Sequence, residues 1–123
     1  MQKTILMSGA IFGALAVAFG TFGAHALKVM LEAAGRTDTF ETAVKYQFYH
    51  ALALLLVGVF MQRNQDVLLG YSGITFIIGT IIFSGSLYMI CFTGVTRWGA
   101  VAPVGGLAFI VGWILLLISF AKN

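Results

Sequence analysis

Residues Val67–Phe92 read VLLGYSGITFIIGTIIFSGSLYMICF, 26 positions without a single charge. At about 1.5 Å per residue such a stretch is ~39 Å long as a helix, and the hydrocarbon core it must cross is ~30 Å thick. Its glycines, at 70, 73, 79 and 85, suit close helix contact in lipid better than a soluble helix interior. Three further stretches, Thr4–Ala24, Tyr46–Met61 and Val101–Ala121, reach or approach the same length. Together the four occupy most of the 123 residues. The fold class that follows is an all-α integral membrane protein, a single domain of four transmembrane helices in an antiparallel bundle.

Composition agrees. Hydrophobic residues make up 60% of the chain and charged residues 9%, against about 25% charged in soluble domains. The mean hydropathy is +1.00. The pI of 9.3 invites a nucleic-acid reading, but the seven basic residues are scattered over short connections and form no patch, so no nucleic-acid partner is expected. Cys91 is the only cysteine. It sits in an apolar run and reads as an inert packed thiol. Lys3 and Ala24-His25-Ala26 resemble a signal peptide's basic start and cleavage site. The intervening apolar run exceeds the 7–15 residues of a signal sequence, so the segment is expected to stay as the first span.

The spans are predicted at about 3–27, 39–62, 67–92 and 103–121. Lys28–Lys45 is the only substantial polar connection, with a short interfacial turn of helix predicted to end at Gly35. Asp38 and Glu41, three apart, have the spacing of a capping box, and Glu41 and Lys45 form an i,i+4 pair. Trp98–Ala102 is read as an irregular approach to a last helix that starts near Pro103, since proline suits a first turn. Short connections make neighbouring helices antiparallel, and an even number of spans puts both termini on one side. Basic residues divide three against four between the two sides, which leaves in/out orientation open under the positive-inside rule.

Two stripes of small residues stand out. Gly9, Gly13 and Gly20 recur at helical spacing on the first helix, and Gly105 and Gly112 on the last. Small residues let backbones approach where lipid removes the hydrophobic drive. One stripe is expected to serve contact within the chain and the other a low-order homo-oligomer.

The polar residues of the spans gather towards the Lys28–Lys45 side. His25 ends the first helix, Tyr46, Gln47 and His50 begin the second, and Ser84, Ser86 and Tyr88 end the third. Polar groups in hydrocarbon must pair or line a wet cavity, so these seven are the candidate ligand-pocket residues. Ser84 and Ser86, two apart, cannot share a helix face, so at least one must bond its own backbone or an adjacent helix. For His50 three roles are open: a bond between helices, the lining of a cavity, or, with His25, axial ligation of haem or a metal. No cluster of metal-ligand spacing accompanies the histidines, and neither cofactor nor metal is expected. No catalytic dyad, phosphate loop or nucleophile elbow is present, and no carboxylate lies inside a span. An enzyme is not expected.

Several motifs, in order, carry a resemblance to a known family. They are Gly20-Thr21-Phe22-Gly23-Ala24-His25, Tyr46-Gln47-Phe48-Tyr49-His50-Ala51-Leu52-Ala53, Phe83-Ser84-Gly85-Ser86-Leu87-Tyr88, Thr93-Gly94, Pro103-Val104-Gly105-Gly106 and Gly112-Trp113. The chain resembles domain of unknown function family 423, which includes transmembrane-protein-256-like proteins. The resemblance implies a four-span protein of bacterial cytoplasmic (inner) membranes and of animal relatives, and implies no activity. The expected role is binding of a lipid or small molecule, or support of a membrane assembly, with membrane lipids as partners. A transporter or channel subunit is the alternative.

Overall fold

The computed structural model describes residues 1–122. The chain forms α1 (Gln2–Ala24), a short α2 (Lys28–Ala34), α3 (Thr37–Phe60), α4 (Val67–Thr93), a 3-10 turn (Thr96–Ala100) and α5 (Ala102–Lys122). Four of these helices are long and apolar enough to cross a membrane.

The spans do not close into a square. α1 packs on α3, α3 on α4 and α4 on α5, while α1 meets α4 only lightly and has no substantial contact with α5. The molecule is therefore two triangles, α1–α3–α4 and α3–α4–α5, sharing the α3–α4 edge. Burial follows this plan: 44% and 39% of the apolar windows of α3 and α4 are buried, against 17% and 28% for the first and last spans. The shared edge is filled by Leu54, Val57, Leu69 and Phe76, all at most 1% exposed.

Glycine sets the closeness of three contacts. A side chain at Gly9 would press on the Ala51 carbonyl oxygen at 2.9 Å, one at Gly105 would strike the Phe83 backbone, and one at Gly112 would meet Phe76 and Thr75. Gly13 and Gly20 face α3 more loosely, at 3.8 Å from Ala51 and 3.5 Å from Val44. Both stripes thus face helices of the same chain, closely at Gly9, Gly105 and Gly112 and loosely at Gly13 and Gly20.

The ends are set by local chemistry. α1 stops at Ala24, three residues short of the reading at 27, where His25 leaves helical geometry and the Leu27 amide folds back on the Phe22 carbonyl. α2 ends at Gly35 in the left-handed region (φ 67°), and the Arg36 amide reaches the Leu31 carbonyl, the bond pattern of a Schellman motif. That reversal is so tight that α3 begins at Thr37 with no side-chain cap. Asp38 therefore lies inside the first turn, where its charge suits the helix dipole, rather than capping it. Asp66 caps α4 by accepting from the Leu68 amide at 3.0 Å.

The two terminal helices are both tied close to the α3–α4 turn. Gln2 Nε2 donates to the Gly58 carbonyl at 2.8 Å. At the other terminus Ser119 Oγ donates to Asp66 at 2.6 Å, and Lys122 Nζ lies 3.2 Å from the same carboxylate. Met1 and Lys122 are consequently at one end of the bundle.

Candidate functional site

The seven sequence-predicted residues do not form one pocket. The structure divides them between the two triangles and leaves one outside.

In the α1–α3–α4 triangle, Gln47 is 4% exposed. Its Nε2 donates to the Phe12 carbonyl at 2.9 Å, and its Oε1 accepts from Tyr88 Oη–H at 2.7 Å. One side chain thereby ties α3 to both neighbours. Ser84 Oγ donates across to the Ala43 carbonyl at 2.7 Å. Ser86 instead bonds its own helix, at the Ile82 and Phe83 carbonyls, so the two serines part as their spacing demands. Tyr88 is edge-on to Phe19, with centroids 5.0 Å apart.

In the α3–α4–α5 triangle, His50 is also 4% exposed. Its Nδ1 is 2.8 Å from the Tyr46 carbonyl, and Trp113 Nε1 donates to its Nε2 at 3.1 Å. A carbonyl can only accept and an indole N–H can only donate. The neutral ring with its proton on Nδ1 satisfies both. The ring lies flat on Phe109, centroids 3.6 Å apart and 9° from parallel, with Phe76 at 5.3 Å. Tyr46 extends the stack towards Phe83 and Phe109. Ser72 Oγ adds a bond to the Gly112 carbonyl at 2.9 Å.

Gln47 and His50 share α3 but face opposite triangles. At 100° per residue, three positions leave ~60° between side chains, enough to straddle the α3–α4 seam. His25 joins neither group. It is exposed at the end of α1, whereas His50 lies ~20 Å along α3 from the same membrane side, about 13 residues at 1.5 Å each. Both His50 nitrogens are engaged within the chain, and His25 does not face it. The His25–His50 axial pair is not assembled.

Two of the openings that flank the C-terminal half of α1 carry polar groups in their lining. The larger, about 350 Å³, lies where α1, α2 and α3 meet. Leu31, Phe40 and Val44 give it apolar walls, and Thr37, Glu41 and Lys45 its polar lining. It is on the membrane side expected from the sequence, yet none of the seven candidates lines it. Glu41 and Lys45 do not bond each other; among the described residues the one ion pair is Asp66–Lys122. The smaller opening, about 230 Å³, is a groove between α1 and α4 lined by Gln47, Ser84 and Tyr88 together with Thr80. Thr80 was not singled out from the sequence, because a lone mid-span threonine usually bonds its own helix. Asp66 was readable, since it directly precedes an apolar run as a cap does.

Four apolar spans, short connections and polar contacts closed between helices define a polytopic membrane protein. The model of a family described as "Protein of unknown function (DUF423)" matches residues 19–106, and the chain belongs to that family. UPF0382 membrane protein SH2409 of Staphylococcus haemolyticus is 38% identical over 121 residues, 98% of each chain. UPF0382 inner membrane protein YgdD of Escherichia coli K12 is 39% identical over 118 residues, 96% of this chain and 89% of its own. No solved structure matches. The chain is a multi-pass protein of the bacterial inner membrane in a family without an assigned biochemical activity, and neither of these relatives carries an enzymatic name.

Proposed function

We propose that this protein is a non-enzymatic binder of an amphiphilic lipid, seated in the α1–α2–α3 cleft. One observation supports this reading. The cleft combines apolar walls with one carboxylate and one ammonium that do not neutralise each other. Lys45 and Glu41 lie on the first turns of α3, next to the short helix α2, at the depth where headgroups sit. A headgroup carrying both a phosphate and an ammonium matches that pair, and its acyl chain matches Leu31, Phe40 and Val44. The transporter alternative has less support, because Leu54, Val57 and Phe76 fill the shared helix edge. Self-association, as a further proposal, would have to use the outer faces of α1 and α5.

Native mass spectrometry of protein released from nanodiscs of mixed phosphatidylethanolamine and phosphatidylglycerol tests the reading. Retention of phosphatidylethanolamine is expected, reduced at least fivefold in Glu41→Gln/Lys45→Gln. Equal retention of both lipids, unchanged in the double variant, would overturn it.

A further inference from the structure

The groove between α1 and α4 is separate from the interfacial cleft and shares no lining residue with it. Its walls are Phe12, Leu15 and Phe19 from α1 and Ile81 and Gly85 from α4. It opens because α1 and α4 touch so little. Gly85 keeps it open: a side chain there would have nothing within 4 Å.

Its polar lining carries the argument. Gln47, Ser84 and Tyr88 are each bonded within the chain. Thr80 is not. It is 3% exposed, and its Oγ1 is buried without a hydrogen-bond partner. A buried unsatisfied hydroxyl is costly and uncommon, and in lipid no water is at hand to satisfy it. Here it borders an opening of about 230 Å³. A cavity of roughly 150 Å³ already admits a benzene ring, so a substituted ring fits.

Depth selects the ligand. Thr80 is the midpoint of α4, ~20 Å from either end at 1.5 Å per residue. Phospholipid ester carbonyls stay near the headgroups and do not reach that depth. An uncharged lipophile with no anchoring headgroup does. Since Thr80 has a proton to donate, the ligand needs an accepting oxygen. We propose that the α1–α4 groove binds a neutral, carbonyl-bearing lipophile, entering sideways from the bilayer, with Thr80 donating to its carbonyl.

The test is photolabelling of the full chain in nanodiscs with three diazirine probes, mapped by peptide mass spectrometry. The first is a short-chain alkyl benzoquinone, the second the matching alkylbenzene without ring oxygens, the third a phosphatidylcholine. The quinone is expected to label the Phe12–Phe19 and Thr80–Tyr88 segments at least tenfold above the other two. Gly85→Leu should abolish this labelling, and Thr80→Val should lower it about fivefold without changing the alkylbenzene signal. Should Gly85→Leu misfold, Ile81→Trp, on the exposed lip of the groove, replaces it with the same expected loss. Equal labelling by all three probes means that only acyl chains occupy the groove. That result would overturn the proposal, as would quinone labelling that ignores Thr80→Val.

Discussion

The two triangles that share the α3–α4 edge are built alike and finished differently. Each has one outer helix laid on one central helix through glycine, and each has one polar side chain of α3 reaching across. On the α5 side the remaining space is taken by flat aromatic rings, His50 on Phe109 with Phe76 and Trp113 beside them. On the α1 side the space stays open, with Gly85 on its wall and the Thr80 hydroxyl unpartnered. The difference teaches that burial of polar groups in lipid has two outcomes. Where ring stacking closes the gap, the histidine is a structural link. Where glycine keeps the gap, the same kind of chemistry becomes available to a ligand.

The comparison breaks most readily at the glycines. Gly105→Ala places a methyl group against the Phe83 backbone, and overpacking of that kind costs about 1–3 kcal/mol, here at the upper end. Gly85→Ala meets nothing and is expected within about 0.5 kcal/mol of the parent. Thermal unfolding in detergent should separate the two. Equal losses would mean that the α1–α4 groove is closed in solution.

The polar links come next. His50→Ala removes a buried ring and strands the Trp113 indole N–H, for an expected loss of about 2–3 kcal/mol. Gln47→Ala strands only Tyr88 beside an opening that can relax, and interhelical bonds in membranes average ~0.6 kcal/mol, so about 1 kcal/mol is expected. The reverse order, measured by the same unfolding, would reassign the structural link to the α1 side.

Hydroxyl deletions should differ in sign. Ser72→Ala loses the bond to the Gly112 carbonyl and about 1 kcal/mol. Thr80→Val replaces an unpartnered hydroxyl by a methyl of similar shape and should gain about 1 kcal/mol in ligand-free detergent. A loss at Thr80 would show that its hydroxyl has a partner after all.

Much of the plan was legible in the sequence because lipid imposes it. Length and hydropathy marked the spans, since an exposed backbone in hydrocarbon leaves few alternatives to a helix. Gly35 announced the end of α2 through the left-handed geometry that glycine favours. The site was less legible. Gathering polar residues on one side of the membrane fixes their depth, not their direction around the helix axis. Gln47 and His50 were therefore grouped although the α3–α4 seam runs between them. The two glycine stripes posed the same difficulty: small size signals close approach, and only the packing tells that both approaches are within one chain. Thr80 carried no signal at all, because its meaning lies in a partner that is missing.

The smallest effect concerns how each outer helix is tied to the α3–α4 turn. α1 is held by a neutral amide, Gln2 on the Gly58 carbonyl. α5 is held by a charge, Asp66, which is kept well below its ordinary 3.8, at about 2, first by the Ser119 hydroxyl, then by the Leu68 amide, and further by Lys122. A folded pKa lower than the unfolded one contributes stability that is present above the unfolded value and is lost as pH falls through the folded value. The tie to α5 should therefore weaken between pH 3.8 and about 2, and the tie to α1 should not. Hydrogen exchange in micelles reads the two ends separately. Protection of the last turn of α5 is expected to fall across that interval while the second turn of α1, from the Ile5 amide that bonds the Met1 carbonyl, keeps its protection. In Asp66→Asn the α5 end should be loose at every pH and show no acid transition. If both ends loosen together, and do so equally in Asp66→Asn, acid acts on the micelle or the whole fold, and the carboxylate does not distinguish the two triangles.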